Sequence, residues 1–225
     1  MSRDDGVTER VEAMETLGLE LNGLVWSAGG WPRTLRPSPL VAEAMNVTVV
    51  VARNAAEARS FTDVILGLKL PDKGWILLGG REITMVTEPE MRDIGFVPAG
   101  GGLSPALSIE QNIAFGLRKR PALRRHHVRF VADRLHLTGD LRLRPADLPP
   151  SGRLRAAVAR AMCHRRHPQA IVIEEHSGSP LCEVAIGAVR DYGELPILVV
   201  CDRADRGRTL ASPAEPYEVI DADET

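Results

Sequence analysis

The chain has 225 residues, 44% of them apolar and 26% charged, which suits one sizeable domain of ordinary composition and excludes a chain disordered throughout. Its longest apolar runs, residues 47–52 and 195–201, have strand length and fall far short of the about 20 residues a membrane-spanning helix needs. The net charge of −2 conceals a divided chain. Residues 118–166 hold fourteen Arg or Lys against three Asp, while Asp4, Asp5, Glu9, Glu12 and Glu15 gather at one end and Glu215, Glu218, Asp221, Asp223 and Glu224 at the other. Such a basic block suits phosphates, an acidic lipid surface, an acidic protein partner or plain solvation of a helical face.

In chain order, residues 1–16 are polar and acidic, which reads as a tail or short helix and not as a secretory signal. Leu19, Leu21 and Leu24 bracket a strand that ends in the turn formers Ser27, Ala28, Gly29 and Gly30. The β-branched run 47–51 lacks polar alternation, the pattern of a strand buried on both faces. From Arg59 to Leu68, the apolar positions Phe61, Val64, Ile65 and Leu68 have helical spacing, and Pro71 and Gly74 stop it. Residues 75–83 read as a hairpin about Gly79-Gly80, and 94–97 as a strand running into the breaker cluster 98–102.

The period is then helical from Ser108 to about Leu143, broken at Thr138-Gly139 and Pro149-Pro150. A helix from Arg153 to Met162 leads to a strand at 170–173, a short helix at 183–190 and a strand at 196–200. Strands alternating with helices predict an α/β fold with a parallel sheet, interrupted by a mostly helical insertion. Cys163, Cys182 and Cys201 have no metal-ligand spacing and read as small buried groups in a reducing compartment. His126, His127, His136 and His164 likewise lack acidic partners at a metal spacing.

The stretch 95–117, GFVPAGGGLSPALSIEQNIAFGL, resembles a segment of ATP-binding cassette (ABC) ATPase domains. Four further stretches fall in the family's order: VILGL at 64–68, GWILLGGREIT at 74–84, RAAVARAM at 155–162 and IVIEE at 171–175. The likeness runs over about residues 19–205. It implies a P-loop NTPase-like parallel-sheet core with an N-terminal antiparallel β portion and an inserted, mostly helical subdomain. The expected division is a tail at 1–16, a core at 17–98 and 165–225, and a helical subdomain with a degenerate signature at 99–164.

The resemblance also shows what is missing. A phosphate-binding loop needs glycines, so that backbone N–H groups can converge on phosphate, with a lysine for the terminal phosphates and a hydroxyl for magnesium. Residues 52–60 read ARNAAEARS: the glycine positions are Ala52, Ala55 and Glu57, the lysine position is Ala58, and Arg59 stands where the hydroxyl belongs. The degenerate loop keeps Asn54, Arg59 and Ser60 as its polar remnants, and a frame slid by one residue puts Arg59 on the lysine and Ser60 on the hydroxyl. The family's magnesium-sensing glutamine aligns with Ala99, and the signature with residues 148–152, leaving Ser151 and Gly152 behind two prolines that have no N–H to donate. The Walker B aspartate becomes Glu174, while Glu175 holds the catalytic glutamate position. Cys201 stands for the last-strand histidine, and Ala28 for the adenine-stacking aromatic, with Trp26 near enough to substitute.

Three readings follow. The first is a catalytically impaired ABC ATPase-like subunit, structural or regulatory. Its partner would be a membrane permease or an intact ABC ATPase, as homo- or heterodimer, and no dimer containing this chain would have a complete hydrolytic site. It would lie in the cytoplasm on the inner face of the membrane, with no resident metal or nucleotide. The second is a divergent ATP-hydrolysing subunit that uses ATP and Mg²⁺ through Arg59, Ser60 and Glu175. The weakest is anion or nucleic-acid binding by the basic region. Nucleic acid is disfavoured because Phe130 is the lone aromatic among those arginines.

Overall fold

The computed structural model describes residues 18–117, 120–163, 167–176, 181–202 and 217–222. Its strands in chain order are β1 (Gly18–Ala28), β2 (Trp31–Arg36), β3 (Leu40–Glu43), β4 (Val47–Val51), β5 (Lys73–Leu78), β6 (Arg81–Glu82), β7 (Ile94–Val97), β8 (Ala170–Glu175), β9 (Ile197–Cys201) and β10 (Tyr217–Asp221). Its α-helices are α1 (Ala55–Ile65), α2 (Ile109–Ile113), α3 (Pro121–Arg134), α4 (Pro150–Met162) and α5 (Leu181–Tyr192). The expected tail at 1–16 lies outside the described residues.

The β-branched run of β4 sits where its pattern demands, inside one ten-stranded sheet of order β6-β5-β1-β2-β10-β4-β9-β8-β7, with β3 beside β1. β4, β9, β8 and β7 are mutually parallel, and β1, β2, β3, β5 and β6 pair antiparallel. β10 joins the two regimes, parallel to β4 and antiparallel to β2. Alternate residues of the parallel strands serve two cores. Val49, Val51, Ile171, Ile173, Ile197 and Val199 pack with the helices α2–α5. Val50, Val172, Leu198 and Val200 pack with α1 and the antiparallel strands. A period of two in a strand covered on both faces produces this division.

Three strands escaped the sequence pattern. β2 and β3 flank Pro37 and Pro39, residues that speak against strand, and the acidic β10 has only five residues. The long helical stretch resolves into two helices because Gly116 takes a left-handed φ of 80° after α2 and Pro121 opens α3 at its first turn. Pro150 similarly begins α4, three residues ahead of the expected start, since proline fits a first turn whose N–H groups have no helical partner. α1 also starts early, at Ala55 instead of Arg59, because Asn54 caps it: its side chain accepts from the Glu57 N–H at 3.0 Å. Cys163 and Cys201 are buried thiols.

Candidate functional site

The early start of α1 decides the geometry of the loop that follows β4. Only Ala52, Arg53 and Asn54 separate strand from helix, so the turn is short and tight. Its orphan N–H groups turn to the protein itself. The Glu57 carboxylate folds back over the turn and accepts from the Arg53 N–H at 3.1 Å and the Arg53 guanidinium at 3.4 Å. Its other oxygen accepts from Arg33 Nε at 2.7 Å. Both partners of that pair are buried, with side chains 10% and 7% exposed. A carboxylate at a helix N-terminus is favoured by the helix dipole, and the desolvated arginine reinforces it. Arg33 stands on β2, on the face that covers α1: the register pairs it with Trp26, whose ring lies 5.2 Å from Phe61 of α1.

Four residues along α1, Arg59 reaches the end of β8. Its guanidinium lies 3.4 Å from Glu174 Oε2 and 3.0 Å from Asp63, and stacks over Phe96 at 5.7 Å. His176 stands 3.9 Å from Glu174 and 3.9 Å from Asp202. Glu174 thus faces a protein cation. Glu175 beside it is buried at the same strand end, paired in register with Cys201. Among the described residues, no group of three or more His, Cys, Asp or Glu could hold a metal ion.

The other expected residues scatter. The Ser60 hydroxyl donates to the Ser27 carbonyl at 3.3 Å, whereas Arg59 points to Glu174, so the slid frame leaves its hydroxyl away from the Glu174 carboxylate. Ser151 and Gly152 lie in the first turn of α4, directly after the two prolines. Trp26 corrects the expectation placed on it. It is 0% exposed, locked against Phe61, and cannot stack on a ligand ring. Across the hairpin from Ala28 stands Trp31, 66% exposed and on the same face as Arg33. Sequence reasoning passed over both Trp31 and Arg33. Their signal was the alternation Trp31, Arg33, Leu35 directly after Gly29-Gly30, which puts the three on one face of a strand.

The Ala99 loop is tied to the helical side by Arg160 of α4, which donates to the Gly101 carbonyl at 3.1 Å and also to that of Gly102. Leu103 is half-buried against the core, Pro105 is exposed, and Phe115 nearby is 69% exposed.

A parallel core, an antiparallel flank and helices inserted between β7 and β8 define the mixed α/β, P-loop NTPase-like fold of an ABC ATPase domain. Solved ABC transporter cassettes share it: one in an ADP conformation and one free of nucleotide each superpose with a TM-score of 0.67 at 16% identity, covering 84% and 86% of this chain and 84% of each of theirs. In sequence, the chain is similar to a molybdate/tungstate import ATP-binding protein of Archaeoglobus fulgidus, with 37% identity over 128 residues, 56% of this chain and 52% of that protein. It is also similar to a spermidine/putrescine import ATP-binding protein of Frankia alni, with 35% identity over 179 residues, 69% of this chain and 38% of that protein. The chain thus matches about half the length, or less, of these relatives. No family profile matches it.

Proposed function

We propose that this chain is an ABC ATPase-like subunit that does not turn over nucleotide, and that it serves as a structural or regulatory partner of a membrane permease, of an intact ABC ATPase, or of both. One observation carries the reading: side chains of the protein stand at both positions that the family resemblance assigns to ligand. The Glu57 carboxylate occupies the turn where a phosphate would be held, and the Arg59 guanidinium faces Glu174 where magnesium would sit. A polyphosphate approaching this turn meets a buried negative charge and finds no lysine. Displacing Glu57 would strand Arg33 in a buried site, a loss of about 3–5 kcal/mol. At about 1.4 kcal/mol per decade, that alone weakens binding a hundredfold or more. Without a bound and oriented phosphate, Glu175 has no water to activate against it.

The permease is proposed on the relatives' printed role as import ATP-binding proteins. Location on the inner membrane face follows from that partner, and no helix among the described residues is long and apolar enough to cross a membrane. Head-to-tail pairing with an intact ATPase would leave one composite site with the Glu57-filled turn and the other with the proline-bearing segment before Ser151.

Calorimetric titration with Mg-ATP tests the reading, with no saturable heat expected at micromolar nucleotide. Tight Mg-ATP binding would overturn it. A second reading, a divergent ATP-binding and hydrolysing subunit, is favoured by Trp31, whose exposed ring lies on the face of Arg33 and offers a base a stacking surface. Micromolar binding that Trp31→Ala and Arg59→Ala both abolish would select it.

A further inference from the structure

The helical side of the molecule carries a groove that plays no part in the site at α1. It lies between α2, α3 and residues 138–142, encloses about 730 Å³, and is lined by His126, Arg129, Phe130 and Arg142, with Glu110 and Asp133 on its walls. That volume falls within the range of ligand-binding clefts. Phe130 is 46% exposed, with the Arg134 guanidinium 5.6 Å from its ring, and Leu123, two turns earlier on the same helix face, is 60% exposed. Among the described residues, neither Arg129 nor Arg142 has an ion-pair partner. Asp133 is already engaged by the Thr138 hydroxyl at 3.5 Å. The groove therefore offers unpaired guanidinium groups beside exposed apolar side chains, which calls for an anionic ligand with an apolar side.

We infer that the occupant is a segment of this same chain, residues 1–16. That segment has five carboxylates against two arginines, and Val7, Val11 and Met14 recur at helical spacing among them. Acidic groups would meet Arg129 and Arg142 while the apolar residues cover Phe130 and Leu123. The tether is long enough: seventeen residues ahead of Gly18 span up to about 60 Å, against a radius of gyration of about 17 Å for a domain of this size. Covalent attachment raises the local concentration of the segment to the millimolar range. A concave groove is a poor match for a flat lipid surface, and one phenylalanine offers a nucleic acid a single stacking position. The inference stands apart from the nucleotide question, since it involves no residue of the α1 turn.

The test uses the full chain with a photoreactive benzophenone side chain in place of Leu123. Illumination should give an adduct of single-chain mass that peptide mapping assigns to residues 1–16. Arg129→Glu together with Arg142→Glu, or about 0.5 M salt, should lower its yield about fivefold or more, with the circular dichroism unchanged. The inference is overturned by an adduct of two chains, by no adduct with residues 1–16, or by a yield indifferent to charge reversal. It is equally overturned if phosphatidylserine vesicles or tRNA cross-link in place of the segment.

Discussion

The two ends of α1 face the same electrostatic problem and solve it with opposite charges. At the N-terminal end, the anion Glu57 closes the turn and is held by Arg33. At the C-terminal end, Arg92 is fully buried and donates to the carbonyls of Val64 at 2.9 Å, Ile65 at 2.7 Å, Val86 at 2.7 Å and Thr84 at 2.8 Å. Burial pushes its pKa down to about 10, so it stays cationic at neutral pH. Gly67 makes room for it: a Cβ there would lie 2.5 Å from Arg92 Nε and 2.4 Å from the Val86 carbonyl, at a φ of +76°. Each end thus bears the charge that complements the helix dipole. The lesson is that a helix terminus whose orphan groups are satisfied from within has little left to offer a ligand.

The difference between the ends can be broken by substitution. The largest effect is expected from Arg92→Ala, which strands four carbonyls in the core and should cost about 4–5 kcal/mol in urea unfolding. Glu57→Ala should cost about 3 kcal/mol, because it leaves Arg33 buried without its anion. The double variant Glu57→Leu with Arg33→Met should recover most of that loss, and strictly additive costs would show that the pair is not coupled. Asn54→Ala removes only the cap and should cost about 1 kcal/mol. Arg59→Ala should change stability by about 1 kcal/mol or less, since its side chain is 48% exposed and His176 remains 3.9 Å from the buried Glu174 carboxylate. A loss at Arg59 equal to that at Glu57 would mean that the Arg59–Glu174 contact, and not the turn, is the anchor of this edge.

Much of the fold was legible before any coordinates. The runs 47–51, 94–97, 170–173 and 196–200 declared strands, and 47–51 a strand buried on both faces, because unbroken apolar character survives only where both faces are covered. The site was legible in part. That 52–60 holds neither glycine nor lysine is written in the sequence, as is a glutamate at 174. What closes the turn and what faces Glu174 was not, because Arg33 and Glu57 are 24 residues apart and Arg59 and Glu174 are 115 apart. Trp26 shows the opposite failure: proximity in sequence suggested a ligand platform, yet the ring packs inward onto Phe61, while Trp31, on the same face but at the end of the hairpin, is left exposed.

The sequence by itself determined the strands of the buried parallel centre, the helices between them and the lack of glycine and lysine in 52–60, since periodicity and residue type are local properties. Only the tertiary structure decided that a carboxylate closes the turn and that a guanidinium faces Glu174. Those pairings depend on which strands lie side by side, and strand order is set by packing the whole sheet, which no local pattern encodes.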